Sequence, residues 1–155
     1  MELYDLLNLL NIKYDEIEHK VVYTMEEVLQ ENITDRIEGI ECKNLFVKNK
    51  KRYYLIFMEG SKRANLKELA AFVGESKLSF VSTSDLMRIL GLEAGSVTPL
   101  GIINDTSKLV TVLLDKDLEG KKVLVHPNVN TKTISMKYSD LIAVIEYTKH
   151  QYRIF

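Results

Sequence analysis

Apolar residues recur at helical spacing near the amino terminus. Four leucines within residues 3–10 follow the i, i+3, i+4, i+7 order, which predicts a short amphipathic helix that ends near Asn11. Thr24 is followed three positions later by Glu27, a capping-box pattern that satisfies free N–H groups at a helix start. This pattern predicts a second short helix over residues 25–31.

The polar run 48–52 separates two segments that are rich in aromatic and β-branched residues. These segments, 43–47 and 53–58, are typical of strands, and the run between them predicts a β-hairpin. Alternation at Leu78 and Phe80 predicts one further short strand.

Two later segments each carry a capping residue, an acid three positions on and a closing glycine. These are Asn65, Glu68 and Gly74 in the first segment, and Ser82, Asp85 and Gly91 in the second. A glycine in the left-handed conformation commonly ends a helix, so each segment is predicted to be helical.

The chain after Val97 changes to strand-like patterns. Strands are predicted over 100–103, 109–114, 123–125 and 133–136, followed by a helix over about 139–149. Several of these strands are apolar on both faces and need cover from helices or from a closed barrel. The pattern as a whole indicates a mixed α/β fold, with a mixed sheet and helices packed outside it.

Composition favours one ordinary globular domain spanning residues 1–155. Of its 155 residues 46% are hydrophobic and 28% are charged, and the longest apolar runs fall far short of a membrane span. The formal charge of −1 gives the molecule no overall field for a polyanion, so any nucleic acid must be held locally.

Cysteine usage and the amino terminus favour a cytoplasmic address. Cys42 is the only cysteine, which excludes an internal disulfide and a zinc site built on paired thiolates. The segment Met1-Glu2-Leu3-Tyr4-Asp5 carries acids where a secretory signal would carry Lys or Arg. No glycine-rich phosphate loop, GxSxG elbow or paired-His metal motif is present, so the pattern of residues alone assigns no activity.

Five short motifs carry the functional signal. In chain order they are Lys43-Asn44-Leu45-Phe46, Gly95-Ser96-Val97-Thr98-Pro99, Asn104-Asp105, His126-Pro127 and Asn130-Thr131. Together they resemble the YbaK/ProX family of trans-acting tRNA-editing deacylases, from about His19 to the last helix. The motif residues are most similar to those of the branch that hydrolyses Ala-tRNA(Pro). That branch is related to the insertion domain of bacterial prolyl-tRNA synthetase.

This resemblance implies a fold and an activity. The fold would be a compact mixed α/β domain with a central, partly barrel-like sheet. The activity would be hydrolysis of mischarged Ala-tRNA(Pro), with water activated by the ribose hydroxyl of the substrate and with no cofactor or metal. The expected partners are the acceptor end of tRNA(Pro) and, transiently, prolyl-tRNA synthetase or elongation factor. A monomer without membrane contact is expected, and Lys132 stands where relatives commonly have a small residue.

Lys43 is the expected catalytic residue, because it is similar to the lysine on which these deacylases depend. Ester hydrolysis builds charge on a tetrahedral oxyanion beside the terminal adenosine and its phosphate, and a desolvated ammonium suits that charge. From spacing alone, a solvated hairpin lysine remains the alternative.

The resemblance also implies a set of substrate-binding residues. They are Asn44, the loop residues Gly95, Ser96, Val97, Thr98 and Pro99, then Asn104, Asp105 and His126. Glycine permits close backbone approach and proline fixes the exit of the loop. A plain helix-to-strand connection and a structural histidine are the competing interpretations. His19 and His150 are interpreted as surface or packing residues.

Further interpretations concern Cys42, the basic residues and the alternative functions. Strand alternation should turn Cys42 away from Lys43, so only one of them should enter a pocket, and a thiol nucleophile is disfavoured. The basic run from Lys48 to Arg52, together with Lys62-Arg63, could touch tRNA phosphates, although a solvated turn is favoured. Cys-tRNA deacylation and a catalytically silent module that binds tRNA or a synthetase are the alternative functions. The presence of Lys43, Gly95 and Pro99 favours activity.

Overall fold

The computed structural model describes residues 1–155, with every side chain except that of Met25. The helices are α1 (Leu3–Leu9), α2 (Met25–Gln30), α3 (Ile33–Arg36), α4 (Leu66–Val73), α5 (Thr83–Leu90) and α6 (Tyr138–Tyr147). The strands are β1 (Tyr14–Glu18), β2 (Cys42–Asn49), β3 (Arg52–Glu59), β4 (Ser79–Phe80), β5 (Val110–Leu114), β6 (Lys122–Val125), β7 (Lys132–Lys137) and β8 (Tyr152–Ile154). Two 3₁₀ helices cover Pro99–Asn104 and Lys116–Leu118.

The strands form two separate sheets. One is antiparallel, in the order β1-β7-β6, and the other is mixed, in the order β4-β2-β3-β5-β8. The predicted hairpin is confirmed as β2 and β3, while β3, β5 and β8 run parallel. Neither sheet closes on itself, so the expectation of a partly barrel-like sheet is corrected to two open sheets. Each outer strand has a neighbour on one side only, and short outer strands such as β4 limit the exposed edge.

The buried strand β3 separates two hydrophobic cores. Leu55 and Phe57 face the larger core, to which α1, α5 and α6 contribute. Ile56 and Met58 face a smaller core under α4. Alternation along β3 therefore puts apolar side chains on both faces, and helices cover each face as the sequence predicts.

Local capping signals are confirmed. The side chains of Thr24, Asn65 and Ser82 each accept a hydrogen bond from the backbone N–H three residues later. Gly74 and Gly91 end α4 and α5 with φ angles of +80° and +66°. None of the described helices is long and apolar enough to cross a membrane.

The predicted strand at 100–103 is wrong, because this segment is part of the 3₁₀ helix Pro99–Asn104. Pro99 occupies the first turn, and the Thr98 hydroxyl accepts a hydrogen bond from the Leu100 N–H at 3.3 Å. The sequence analysis also missed β1, β8 and α3. In β1 only Ile17 is aliphatic among acidic neighbours, so the strand carries little hydrophobic signal.

Candidate active site

A cavity of about 250 Å³ lies where the segment between β1 and α2, the start of β2, the loop after α5 and the end of β6 meet. Its walls combine residues from three of the motifs singled out in the sequence with residues that no motif marks. The lining residues are Val22, Tyr23, Thr24, Val28, Glu41, Cys42, Lys43, Asn44, Gly95, Val97 and His126. The fold thus brings Lys43, Asn44, Gly95, Val97 and His126 to one place.

Lys43 and Cys42 both border this cavity, so the expectation that only one of them would do so is wrong. The strand β4 pairs only with Val47 and Lys48, which leaves the start of β2 with an open edge. An open edge exposes the backbone of consecutive residues, so neighbouring residues can border the same space. The side chains themselves diverge, because Cys42 belongs to the larger core whereas Lys43 Nζ donates a hydrogen bond to the Lys62 carbonyl.

The Cys42 thiol is held in its neutral form. Burial, together with the negative charges of Glu41 and Glu59, raises its pKa well above the ordinary value. Its Sγ donates to the Ile40 carbonyl at 3.3 Å. A neutral, hydrogen-bonded thiol is a poor nucleophile.

Three polar atoms at and beside the cavity are buried without a hydrogen-bond partner among the described side chains and backbone. They are Oε2 of Glu41, Oδ1 of Asn44 and Nδ2 of Asn130. Asn130 holds the lining residue Val22 in place, since its Oδ1 accepts a hydrogen bond from the Val22 N–H at 3.3 Å. Buried polar groups usually have partners, so these atoms mark where a ligand's polar groups would fit.

Glu41 is the one carboxyl among the lining residues of this cavity, and its pKa is strongly perturbed. Burial raises its pKa from 4.5 to about 7, and no neighbouring cation offsets that effect. No motif in the sequence pointed to Glu41. It is a titratable group that changes charge near neutral pH inside the candidate site.

The loop after α5 approaches the cavity through Gly95, whose φ angle is +89°. Val97 follows on the cavity wall. Ser96 lines a neighbouring surface hollow, Thr98 is fully buried as the cap of the 3₁₀ helix, and Pro99 is buried in its first turn. Thr98 and Pro99 therefore anchor the loop, whereas Gly95 and Val97 face the cavity.

Asn104 and Asp105 do not line the cavity. Asn104 Nδ2 donates to the Leu90 carbonyl at 2.8 Å, which ties the 3₁₀ helix to the end of α5. Asp105 is buried, accepts from the Val110 N–H at 2.9 Å and lies 2.9 Å from His150 Nε2. These two predicted substrate-binding residues pack the scaffold instead, and His150 has the packing role that was expected.

His126 presents one ring nitrogen as an acceptor. Its Nδ1 lies 3.0 Å from the Lys132 carbonyl oxygen, and since a carbonyl only accepts, Nδ1 carries the proton and Nε2 has a free lone pair. Burial and the nearby His19 lower the pKa of His126, which favours this neutral form. The Lys132 side chain is not needed for the contact, because the backbone makes it.

Several of the basic residues considered for tRNA contact are bound to acids. Arg52 makes a bidentate pair with Glu75 at 2.5 and 2.6 Å. Lys62 Nζ lies 2.8 Å from Asp115 Oδ1. Among the described residues, no cluster of three His, Cys, Asp or Glu side chains could hold a metal ion.

Residues 19–144 match the aminoacyl-tRNA editing domain family. The chain is 38% identical to the prolyl-tRNA editing protein ProX of Acetoanaerobium sticklandii, over 90% of this chain and 86% of that protein. It is 33% identical to the prolyl-tRNA synthetase associated domain-containing protein 1 of Danio rerio, over 96% and 82% of the two chains. A crystal structure described as a candidate trans-editing enzyme for prolyl tRNA synthetase superposes with a TM-score of 0.69. That match has 22% identity and covers 91% of this chain and 85% of the other.

Proposed function

The chain belongs to the aminoacyl-tRNA editing domain family and is an aminoacyl-tRNA deacylase, and we propose that its substrate is Ala-tRNA(Pro) mischarged by prolyl-tRNA synthetase. The observation that carries this proposal is the small cavity in which Lys43, Gly95 and His126 meet. Such a hydrolase acts in the cytoplasm, where it removes alanine from the acceptor end of tRNA(Pro).

A separate hydrolytic pocket is needed because a synthetase pocket built for proline cannot strongly reject the smaller alanine. Each missing methylene changes binding by only about 1–3 kcal/mol, which limits the discrimination and lets misacylation persist. A second pocket too small for proline completes the discrimination, since it admits the alanyl ester and excludes the prolyl ester.

The apolar walls of the cavity suit this exclusion. Val22 and Val28 belong to a packed cluster, and Val97 packs against the larger core. Close-packed side chains resist displacement, so extra ligand volume is accommodated only with strain. We expect an alanine methyl group to fit beside these valines and the bulkier pyrrolidine ring to press against them.

The polar residues supply the chemistry. The Lys43 ammonium stabilises negative charge at the reacting ester or the terminal phosphate, and one of its three N–H groups already binds the Lys62 carbonyl. Gly95 lets the backbone approach the ester closely. His126 Nε2 accepts a hydrogen bond from the ribose or from the attacking water, which the substrate's own ribose hydroxyl activates.

A deacylation panel tests this substrate assignment. Purified protein is incubated with tRNA(Pro) charged with alanine, cysteine, serine or proline, and ester loss is followed over time. We expect alanine to be removed fastest and proline to be spared. Faster loss of cysteine than of alanine would reassign the substrate to Cys-tRNA, and no ester loss from any of the four would refute the proposal.

A further inference from the structure

The backbone at Glu41 is held by contacts on both sides. Ile40 pairs with Val123, so the residue before Glu41 is attached to β6. The Glu41 carbonyl itself accepts a hydrogen bond from the Gly60 N–H at 2.7 Å, just beyond β3. The segment therefore joins the two sheets, and these contacts anchor the Glu41 backbone beside the cavity.

Two acceptor atoms of the cavity-lining residues have no donor. Glu41 Oε2 and Asn44 Oδ1 are both buried without a partner, and both residues line the cavity. The Lys43 ammonium is turned toward the Lys62 carbonyl, and no cation affects the Glu41 carboxyl. The other titratable side chains on the cavity wall are Tyr23, Cys42 and His126. A positive charge opposite the Glu41 carboxylate is therefore left for a ligand to supply.

An aminoacyl ester carries one group with this chemistry, the α-ammonium of its amino acid. An ammonium has three donors and a positive charge, and a charge-assisted hydrogen bond to a carboxylate is about twice as strong as a neutral one. A buried carboxylate also costs free energy until such a partner arrives. Ligand binding would therefore satisfy the Oε2 atom and offset the cost of its burial.

We propose that Glu41 binds the free α-ammonium group of the aminoacyl ester, which makes the site selective for unblocked aminoacyl-tRNA over N-acylated or peptidyl-tRNA. This inference rests on the proposed deacylase function and adds a specificity-determining residue to it. It also gives a physical reason why such an enzyme would spare esters whose amino group is already an amide.

Glu41→Gln tests the assignment, because it keeps the shape and removes the charge. Initial rates are measured with Ala-tRNA(Pro) and with N-acetyl-Ala-tRNA(Pro), for the wild type and the variant. We expect the wild type to prefer the free amine by about 10- to 100-fold, which is the worth of a charged hydrogen bond. Glu41→Gln should lose most of that preference by slowing on Ala-tRNA(Pro), with little change on the acetylated substrate.

Glu38→Gln is the matched control. It removes a carboxylate from the same segment, but Glu38 is exposed and lies 3.6 Å from Lys122, outside the cavity. We expect it to keep the wild-type preference. Retention of the wild-type rate on N-acetyl-Ala-tRNA(Pro) by Glu41→Gln shows that the variant is folded.

A binding measurement supplies a readout apart from turnover. The probes are adenosine derivatives that carry alanine or N-acetylalanine through a non-hydrolysable 3′-amide. We expect the wild type to bind the free amine more tightly and Glu41→Gln to bind both equally.

The outcomes separate this inference from the proposed function. A wild type that hydrolyses Ala-tRNA(Pro) and its acetylated form equally would refute the Glu41 assignment and leave the deacylase function intact. Equal slowing of Glu41→Gln on both substrates would also overturn it, since the carboxylate would then act on water instead of the amine. A wild type inactive on every ester would refute both.

Discussion

Gly95 lies directly against the ring of Tyr23. A Cβ built on Gly95 would stand 2.6 Å from Tyr23 Cδ1 and 3.2 Å from Asn130 Nδ2. The backbone also has a φ angle of +89°, which side-chain-bearing residues rarely adopt. The tyrosine therefore closes over the loop only because residue 95 has no side chain.

Gly95→Ala should impair the site through this contact. We expect at least a 10-fold loss of Ala-tRNA(Pro) hydrolysis, because the added methyl group must displace the Tyr23 ring or the loop. The control is Gly120→Ala, where φ is +78° but nothing lies within 4 Å of the new Cβ. Both variants should lose about 1 kcal/mol of stability from the left-handed backbone. Wild-type turnover by Gly95→Ala would contradict the role of this loop.

Lys43→Ala should lose about 10²–10³-fold in kcat/KM for Ala-tRNA(Pro), the effect typical of removing one preorganised electrostatic contact. Its fold should persist, since the loss of the hydrogen bond to the Lys62 carbonyl costs only about 1 kcal/mol. Lys48→Ala on the same strand is the control. Lys48 is not on the cavity wall and forms only a loose ion pair, 3.8 Å from Asp85. Equal rates for the two variants would remove Lys43 from the mechanism.

Cys42→Ser should change turnover by less than about 2-fold. The neutral thiol takes no part in the proposed chemistry, and a serine hydroxyl can donate to the Ile40 carbonyl as the Sγ does. Stability should fall by about 1 kcal/mol, because a polar atom replaces a buried sulfur. Rate assays and chemical denaturation measure the two effects. An acyl-thioester trapped on Cys42 would contradict the water-based mechanism.

The raised pKa of Glu41 makes a prediction about stability. Between pH 4.5 and about 7 the folded protein retains a proton that the unfolded chain releases, so the free energy of unfolding falls as pH rises through this window. The loss levels off above pH 7 at about 3 kcal/mol. Urea unfolding at pH 5 and pH 8 should show this loss in the wild type and much less of it in Glu41→Gln. The same pH dependence in both proteins would show that Glu41 ionises normally.

Local signals in the sequence predicted the elements whose determinants lie within a few residues. The capping residues Thr24, Asn65 and Ser82 start helices because a side-chain oxygen meets an N–H only three positions away. The segment at 100–103 shows the limit of such reasoning. A short apolar run fits a buried strand or a helical turn equally well, and the buried surroundings of the Thr98 cap select the turn.

The sequence predicted the candidate site correctly where a motif residue also lines the cavity, as Lys43 and Gly95 do. Asn104 and Asp105 also lie in a motif, yet their partners are the Leu90 carbonyl and His150. A motif alone does not say whether a side chain faces a ligand or the core. Glu41 carried no sequence signal, because its burial depends on contacts with Val123 and Gly60 that only the fold creates.

The comparison of Ala-tRNA(Pro) with Pro-tRNA(Pro) tests the central claim most directly. Both esters are prepared on one tRNA(Pro), so the acceptor stem is identical and only the amino acid differs. The valine-lined cavity predicts that the initial rate with alanine exceeds that with proline by about 10- to 150-fold, the range expected when added bulk meets a packed wall. Equal rates for the two esters would contradict the size-selective editing of Ala-tRNA(Pro), however active the enzyme proved to be.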